Sequence, residues 1–129
     1  MAYDVDREPQ AWLEQADEHL AAARNALTAS LALPGAAAFH AQQAAEKALK
    51  AHLASREEVP LAARDLPELL RLCRQLDEEF GLLENAIATL QPYYARYLRS
   101  GPPVEPRYAQ AETAVELGTG VVEFVRARV

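Results

Sequence analysis

Between Pro34-Gly35 and Arg56, small residues return at Ala37, Ala41, Ala44, Ala48 and Ala51. Steps of three and four lay them along one face of a helix. A stripe with so little side-chain volume lets a second helix come close. The segment therefore predicts a helix wedged among other helices, running from about Ala36 to Arg56. Phe39, Leu49 and Leu53 form a bulkier apolar stripe on it, with Gln42 and Glu46 on the same side. His40, Gln43, Lys47 and Lys50 form an adjoining polar stripe.

Four more segments carry the same period. From about Pro9 to Leu33, apolar residues recur at Trp12, Ala16, Leu20, Ala23 and Leu27, and Pro34-Gly35 ends the run. A third helix is predicted to start near Asp65, with Asp65 as its cap, Pro67 in the first turn and Glu68 completing an approximate capping box. Its apolar face is Leu66, Leu69, Leu70, Cys73 and Leu76, and Gly81 is expected to separate it from the next helix. The fourth carries Leu82, Leu83, Ala86, Ile87, Leu90, Tyr94 and Tyr97, with a kink or break at Pro92. After Gly101-Pro102-Pro103, a fifth starts near Pro106 and repeats through Ala111, Ala114, Val115, Gly118, Val121, Val122 and Val125. No strand is predicted. The expected fold is all-α: one domain over residues 1–129, an up-and-down antiparallel bundle of four to five helices.

Charge narrows the function. The formal net charge is −6, so any polyanion must be met by a local basic patch against the overall field. Lys47 and Lys50 are the chain's lysines, and with His40 and Gln43 they offer one such patch, though a stripe of this kind is more often a solvated helix face. Tyr93, Tyr94, Arg96, Tyr97, Arg99, Arg107 and Tyr108 offer a better one. Guanidinium groups pair bidentately with phosphate and tyrosine rings stack on bases. Arg64, Arg71 and Arg74 lie among Asp65, Glu68, Asp77 and Glu78, which reads as a salt-bridged surface. Gln42, Gln43 and Glu46 are candidates for a buried polar patch or a dimer seam, with Glu46 placed to pair with Lys50 at i+4.

Other chemistry finds little support. His19, His40 and His52 show no metal-ligand spacing, and His40 and His52 stand ~18 Å apart along one helix. No metal and no cofactor is expected. Phosphate loops, Gly-rich dinucleotide turns and nucleophile elbows are missing from the sequence. The lone Cys73 falls on an apolar face and reads as a buried, inert thiol in a reducing, cytoplasmic setting. No run of ~18 apolar residues offers a membrane span, and the first residues lack the pattern of a secretion signal.

The run Ala38-Phe39-His40-Ala41-Gln42-Gln43-Ala44-Ala45-Glu46-Lys47-Ala48-Leu49-Lys50-Ala51 resembles the most recognisable segment of HEPN domains, an aromatic followed by Gln-Gln-Ala-x-Glu-Lys-x-x-Lys. Trp12 with Ala16, Leu20 and Ala23 is similar to the family's first helix. Arg64-Asp65-Leu66 stands where a His-Asp-Leu is frequent, and Tyr93-Tyr94-Ala95-Arg96-Tyr97 resembles the Tyr-Tyr…Arg-Tyr segment before the last helix. The likeness runs from about Pro9 to Arg128.

The resemblance implies a helical bundle that pairs into a homodimer or a higher assembly. It also implies a partnership with a minimal nucleotidyltransferase in a toxin–antitoxin pair. Active members are metal-independent RNases with an Arg-x(4–6)-His motif near the last helices. Here no histidine follows Arg96, Arg99 or Arg107. The expectation is therefore a non-catalytic module binding a nucleotide, RNA or a partner protein, with Arg96, Tyr94, Tyr97, Arg99, Lys47 and Lys50 as contact residues. The alternative is a metal-independent RNase toxin with a divergent active site.

Overall fold

The computed structural model describes residues 8–58, 65–97 and 105–129, with side chains in the second stretch described through Tyr94. Among the described residues five α-helices form: α1 (Pro9–Thr28), α2 (Pro34–Ser55), α3 (Leu66–Leu76), α4 (Glu84–Leu90) and α5 (Tyr108–Arg126). Two 3-10 segments, Glu78–Leu83 and Gln91–Tyr97, flank α4, and no strand occurs among the described residues. Proline opens three of the helices, at Pro9, Pro34 and Pro67. A first-turn N–H has no intrahelical partner in any case, and proline's fixed φ already suits the helix.

Several boundaries differ from the sequence expectation, each for a local reason. Helix α1 ends at Thr28 rather than Leu33, because Ala29 turns extended at ψ 153°. The loop closes through Leu33 N–H donating to the Ala26 carbonyl at 2.8 Å. Helix α2 begins at Pro34, two residues early. Asp65 occupies the N-cap of α3 but makes no side-chain cap bond. The Leu66 N–H donates instead to Gln91 Oε1 at 3.1 Å, so a side chain from the far end of α4 caps α3. Gly81 lies inside a 3-10 segment, and the break after α3 is at Asp77, whose extended backbone turns the chain while its side chain accepts from Glu79 N–H at 3.0 Å. The fourth helix divides at Gln91-Pro92, as Pro92 predicts. Leu82, assigned to the apolar face, is 76% exposed. Pro106 precedes α5, which starts at Tyr108 with Gln110 Oε1 accepting from the Arg107 N–H at 2.9 Å.

Helix α2 is the axis of the bundle. Ala37, Ala41, Ala44, Ala48 and Ala51 are all fully buried against neighbouring helices of the same chain. Between its two end residues, its partly exposed positions, 36, 39, 40, 43 and 47, keep helical spacing and leave one narrow open stripe. Helix α1 runs antiparallel to α2, since Trp12 meets Lys47 and Lys50 while His19 meets His40. It also runs antiparallel to α5, because Arg24 bonds Thr119 and Asp17 pairs with Arg126. Helices α2 and α5 therefore point the same way, joined by α3, α4 and the 3-10 turns. Phe80 closes the far end, its ring 4.3 Å from that of His52 and 5.1 Å from that of Phe124.

Gly118 sets the distance between α5 and α2. A Cβ there would stand 2.9 Å from the Ala41 carbonyl oxygen and 3.3 Å from its Cα and Cβ. Gly118→Ala should push the helices apart, with overpacking of ~1–3 kcal/mol outweighing a helix-propensity gain of ~1 kcal/mol. Gly120, two residues on, has nothing within 4 Å of its virtual Cβ, so Gly120→Ala should stabilise. Urea midpoints that move down for position 118 and up for position 120 would bear this out, and parallel shifts would not.

Candidate functional site

The open stripe of α2 and the flank of α1 beside it hold most of the chain's unusual chemistry. At one end Glu46 is fully buried. Its Oε2 accepts from Lys47 Nζ at 3.0 Å and from Lys50 Nζ at 3.3 Å. Both ammonium groups face the Trp12 ring, 5.7 and 5.3 Å from its centroid. The ring's electron-rich face stabilises cations in this range. The expected solvated stripe is therefore a packed one at this end, with Lys50 only 2% exposed. Two ammonium groups on one carboxylate leave one net positive charge in a chain of charge −6.

One turn earlier, Gln43 Nε2 donates to Gln42 Oε1 at 2.7 Å. Gln42 is fully buried within the single chain, as Glu46 is, while Gln43 is partly exposed. Gln42 Nε2 and Glu46 Oε1 have no hydrogen-bond partner. Each such orphan costs ~1–3 kcal/mol, so this polarity is maintained against stability. The alanine face is occupied by the chain's own helices, so a dimer seam on α2 would have to use the stripe of Phe39, His40, Gln43 and Lys47.

At the other end His19 and His40 meet, Nδ1 to Nδ1 at 3.0 Å. Spacing along the chain hid this contact, because the two rings come from different helices. Burial, with His40 and Lys47 adding to it, holds the His19 pKa down to about 4, and burial also lowers His40. Both rings are neutral at pH 7. The antiparallel register of Trp12 with Lys47 and His19 with His40 was the signal that could have found it: seven residues separate Trp12 from His19 on α1, and seven separate His40 from Lys47 on α2.

The remaining predicted residues are elsewhere. Tyr93 and Tyr94 sit partly buried on the 3-10 segment after α4. The side chains of Arg96 and Tyr97, and Arg64 and Arg99 altogether, lie outside the described residues. Tyr108 is half exposed, its hydroxyl reaching the Leu27 carbonyl at 3.4 Å. Arg71 pairs with Glu68 at 2.6 Å and Arg74 with Glu84 at 3.7 Å, as a mixed surface requires. They border an open cleft of about 690 Å³ between α3 and α4, floored by Leu70 and Ile87. Cys73 is fully buried, its thiol pushed up to about 12 by desolvation, and Sγ donates to the Leu49 carbonyl at 3.5 Å. His52 is sealed against Phe80 with neither ring nitrogen hydrogen-bonded.

No helix among the described residues is long and apolar enough to cross a membrane. The profile described as HEPN domain matches residues 9–128. Among solved structures, the crystal structure of TT1696 from Thermus thermophilus is similar at 31% identity and a TM-score of 0.78, covering 94% of this chain and 98% of that one. No curated protein matches the chain.

Proposed function

The chain belongs to the HEPN domain family, and from that footing we propose that it is a binding module rather than a nuclease. It acts as a homodimer that takes a nucleotide or a stretch of RNA and partners a minimal nucleotidyltransferase in a toxin–antitoxin pair.

The observation that carries this reading is where the imidazoles lie. Cleaving RNA near neutral pH without a metal calls for a group that titrates there, placed beside a guanidinium. No histidine follows Arg96, Arg99 or Arg107. His52 is walled into the core, and His19 and His40 face one another between α1 and α2. Binding asks less. The net positive charge by Trp12 and the open stripe of Phe39, His40, Gln43 and Lys47 support a surface for an anion or a partner helix. Arg96, the arginine on which the family pattern falls, supplies the phosphate contact.

Calorimetry with ATP and with a short RNA tests this. One of them should bind, and Arg96→Ala should weaken it about 10–100-fold, the loss of a charged hydrogen bond of ~1.5–3 kcal/mol. No heat with either ligand would overturn direct nucleotide contact. Degradation of cellular RNA by the purified chain in EDTA would replace this reading with that of a nuclease.

A further inference from the structure

The His19–His40 contact has a shape of its own. The nitrogens are 3.0 Å apart and the ring centroids 5.3 Å, planes tilted by 31°. The centroid separation exceeds the nitrogen separation by about two ring radii. Both Nδ1 atoms therefore lie on the line between the rings, with their lone-pair directions aimed at each other. Two lone pairs cannot face one another bare: one ring must donate a proton across the gap, or a cation must sit in it.

We propose that His19 and His40 form a two-imidazole chelate for a divalent transition metal of the zinc class, with solvent filling the other positions. Zinc binds imidazole nitrogen at ~2.0–2.1 Å in tetrahedral geometry, which puts two ligand nitrogens ~3.3–3.4 Å apart. Binding would therefore widen the gap from 3.0 Å by a few tenths of an ångström and tilt each ring off the line between them. The mounts are rigid: α1 and α2 pack through alanines, and the edge of Phe39 braces His40 with ring centroids 5.6 Å apart. A ligand must be deprotonated to bind, and burial disfavours the charged form of both rings. The Lys47 ammonium opposes a nearby dication, but the Glu46 carboxylate holds it at 3.0 Å and offsets much of its charge. Among the described residues no third His, Cys, Asp or Glu converges on the pair. The ion would keep open positions and bind less tightly than in a closed structural site.

Titrating the metal-stripped full chain with zinc chloride at neutral pH tests the site by calorimetry. The expected result is one saturable site per chain, weakened at least tenfold in His19→Gln and in His40→Gln, and unchanged in His52→Leu. Imidazole NMR of the wild-type chain gives a readout independent of any variant's folding. The Nδ1 resonances of His19 and His40 should move with zinc, and those of His52 should not. Absence of saturation up to millimolar zinc, undiminished binding in His19→Gln and His40→Gln, or unmoved His19 and His40 resonances would each overturn the proposal.

Discussion

Replacing Glu46 by alanine is expected to lower stability by about 3–5 kcal/mol, the loss seen when one member of a buried ion pair is removed. Glu46 is fully buried and takes both Lys47 and Lys50 on one oxygen. Deleting it strips the carboxylate from an ammonium that is 2% exposed and leaves one or both lysines to be rehydrated at the expense of packing. The prediction has a second half. Glu46→Leu combined with Lys50→Met replaces the pair with apolar groups of like volume, and such replacements are often neutral or stabilising. The double variant should therefore recover most of the loss, through a favourable coupling of the two sites in a double-mutant cycle. Urea unfolding followed by helical circular dichroism measures Glu46→Ala, the single variants Glu46→Leu and Lys50→Met, and the double variant. Additive losses in the double variant would show that the lysines and Glu46 act apart, and a loss under 1 kcal/mol for Glu46→Ala would show the pair to be wet.

The second large effect is a loss of stability in weak acid. His19, His40 and His52 all have pKa values below the ordinary histidine range, burial being the leading cause for each. The folded chain therefore resists a proton that the unfolded chain accepts near pH 6.5. Where the unfolded state binds more protons, stability rises with pH. It is fully present above pH 6.5 and is lost as pH falls towards the folded values, about 4 for His19. For His19 alone, linkage gives a loss of ~1–2 kcal/mol at pH 5, allowing for its partial exposure. His40 and His52 act in the same direction, and the two touching rings titrate as a pair. Urea midpoints at pH 7.5 and pH 5 should differ accordingly, and His19→Gln should shrink the difference to the part that His40 and His52 contribute. A pH-independent midpoint would mean that the rings take up protons without strain.

The period of the apolar residues made the five helices legible, and small residues marked where α2 would be crowded. What the sequence could not show were the joints. Gln91 caps α3 from 25 residues away, which no local window contains. Asp77, rather than Gly81, breaks the chain, because a short acceptor at a helix end competes with the helix for N–H groups. The candidate site was legible in its members and not in its arrangement. The i+4 spacing predicted the pairing of Glu46 with Lys50, but burial depends on α1 laying Trp12 over both lysines. Treated one helix at a time, the histidines looked scattered. The contact of His19 with His40 exists only once α1 folds back along α2.

The seating of Gly118 on Ala41 has a consequence for biosynthesis. A five-residue loop joins α1 to α2, so that hairpin closes early and cheaply, whereas the helix bearing Gly118 emerges from the ribosome more than fifty residues after α2 is complete. Through that interval the alanine-lined side of α2 that α5 will cover lies bare, and a nascent chain stalled there would present neighbouring chains with a smooth, adhesive surface.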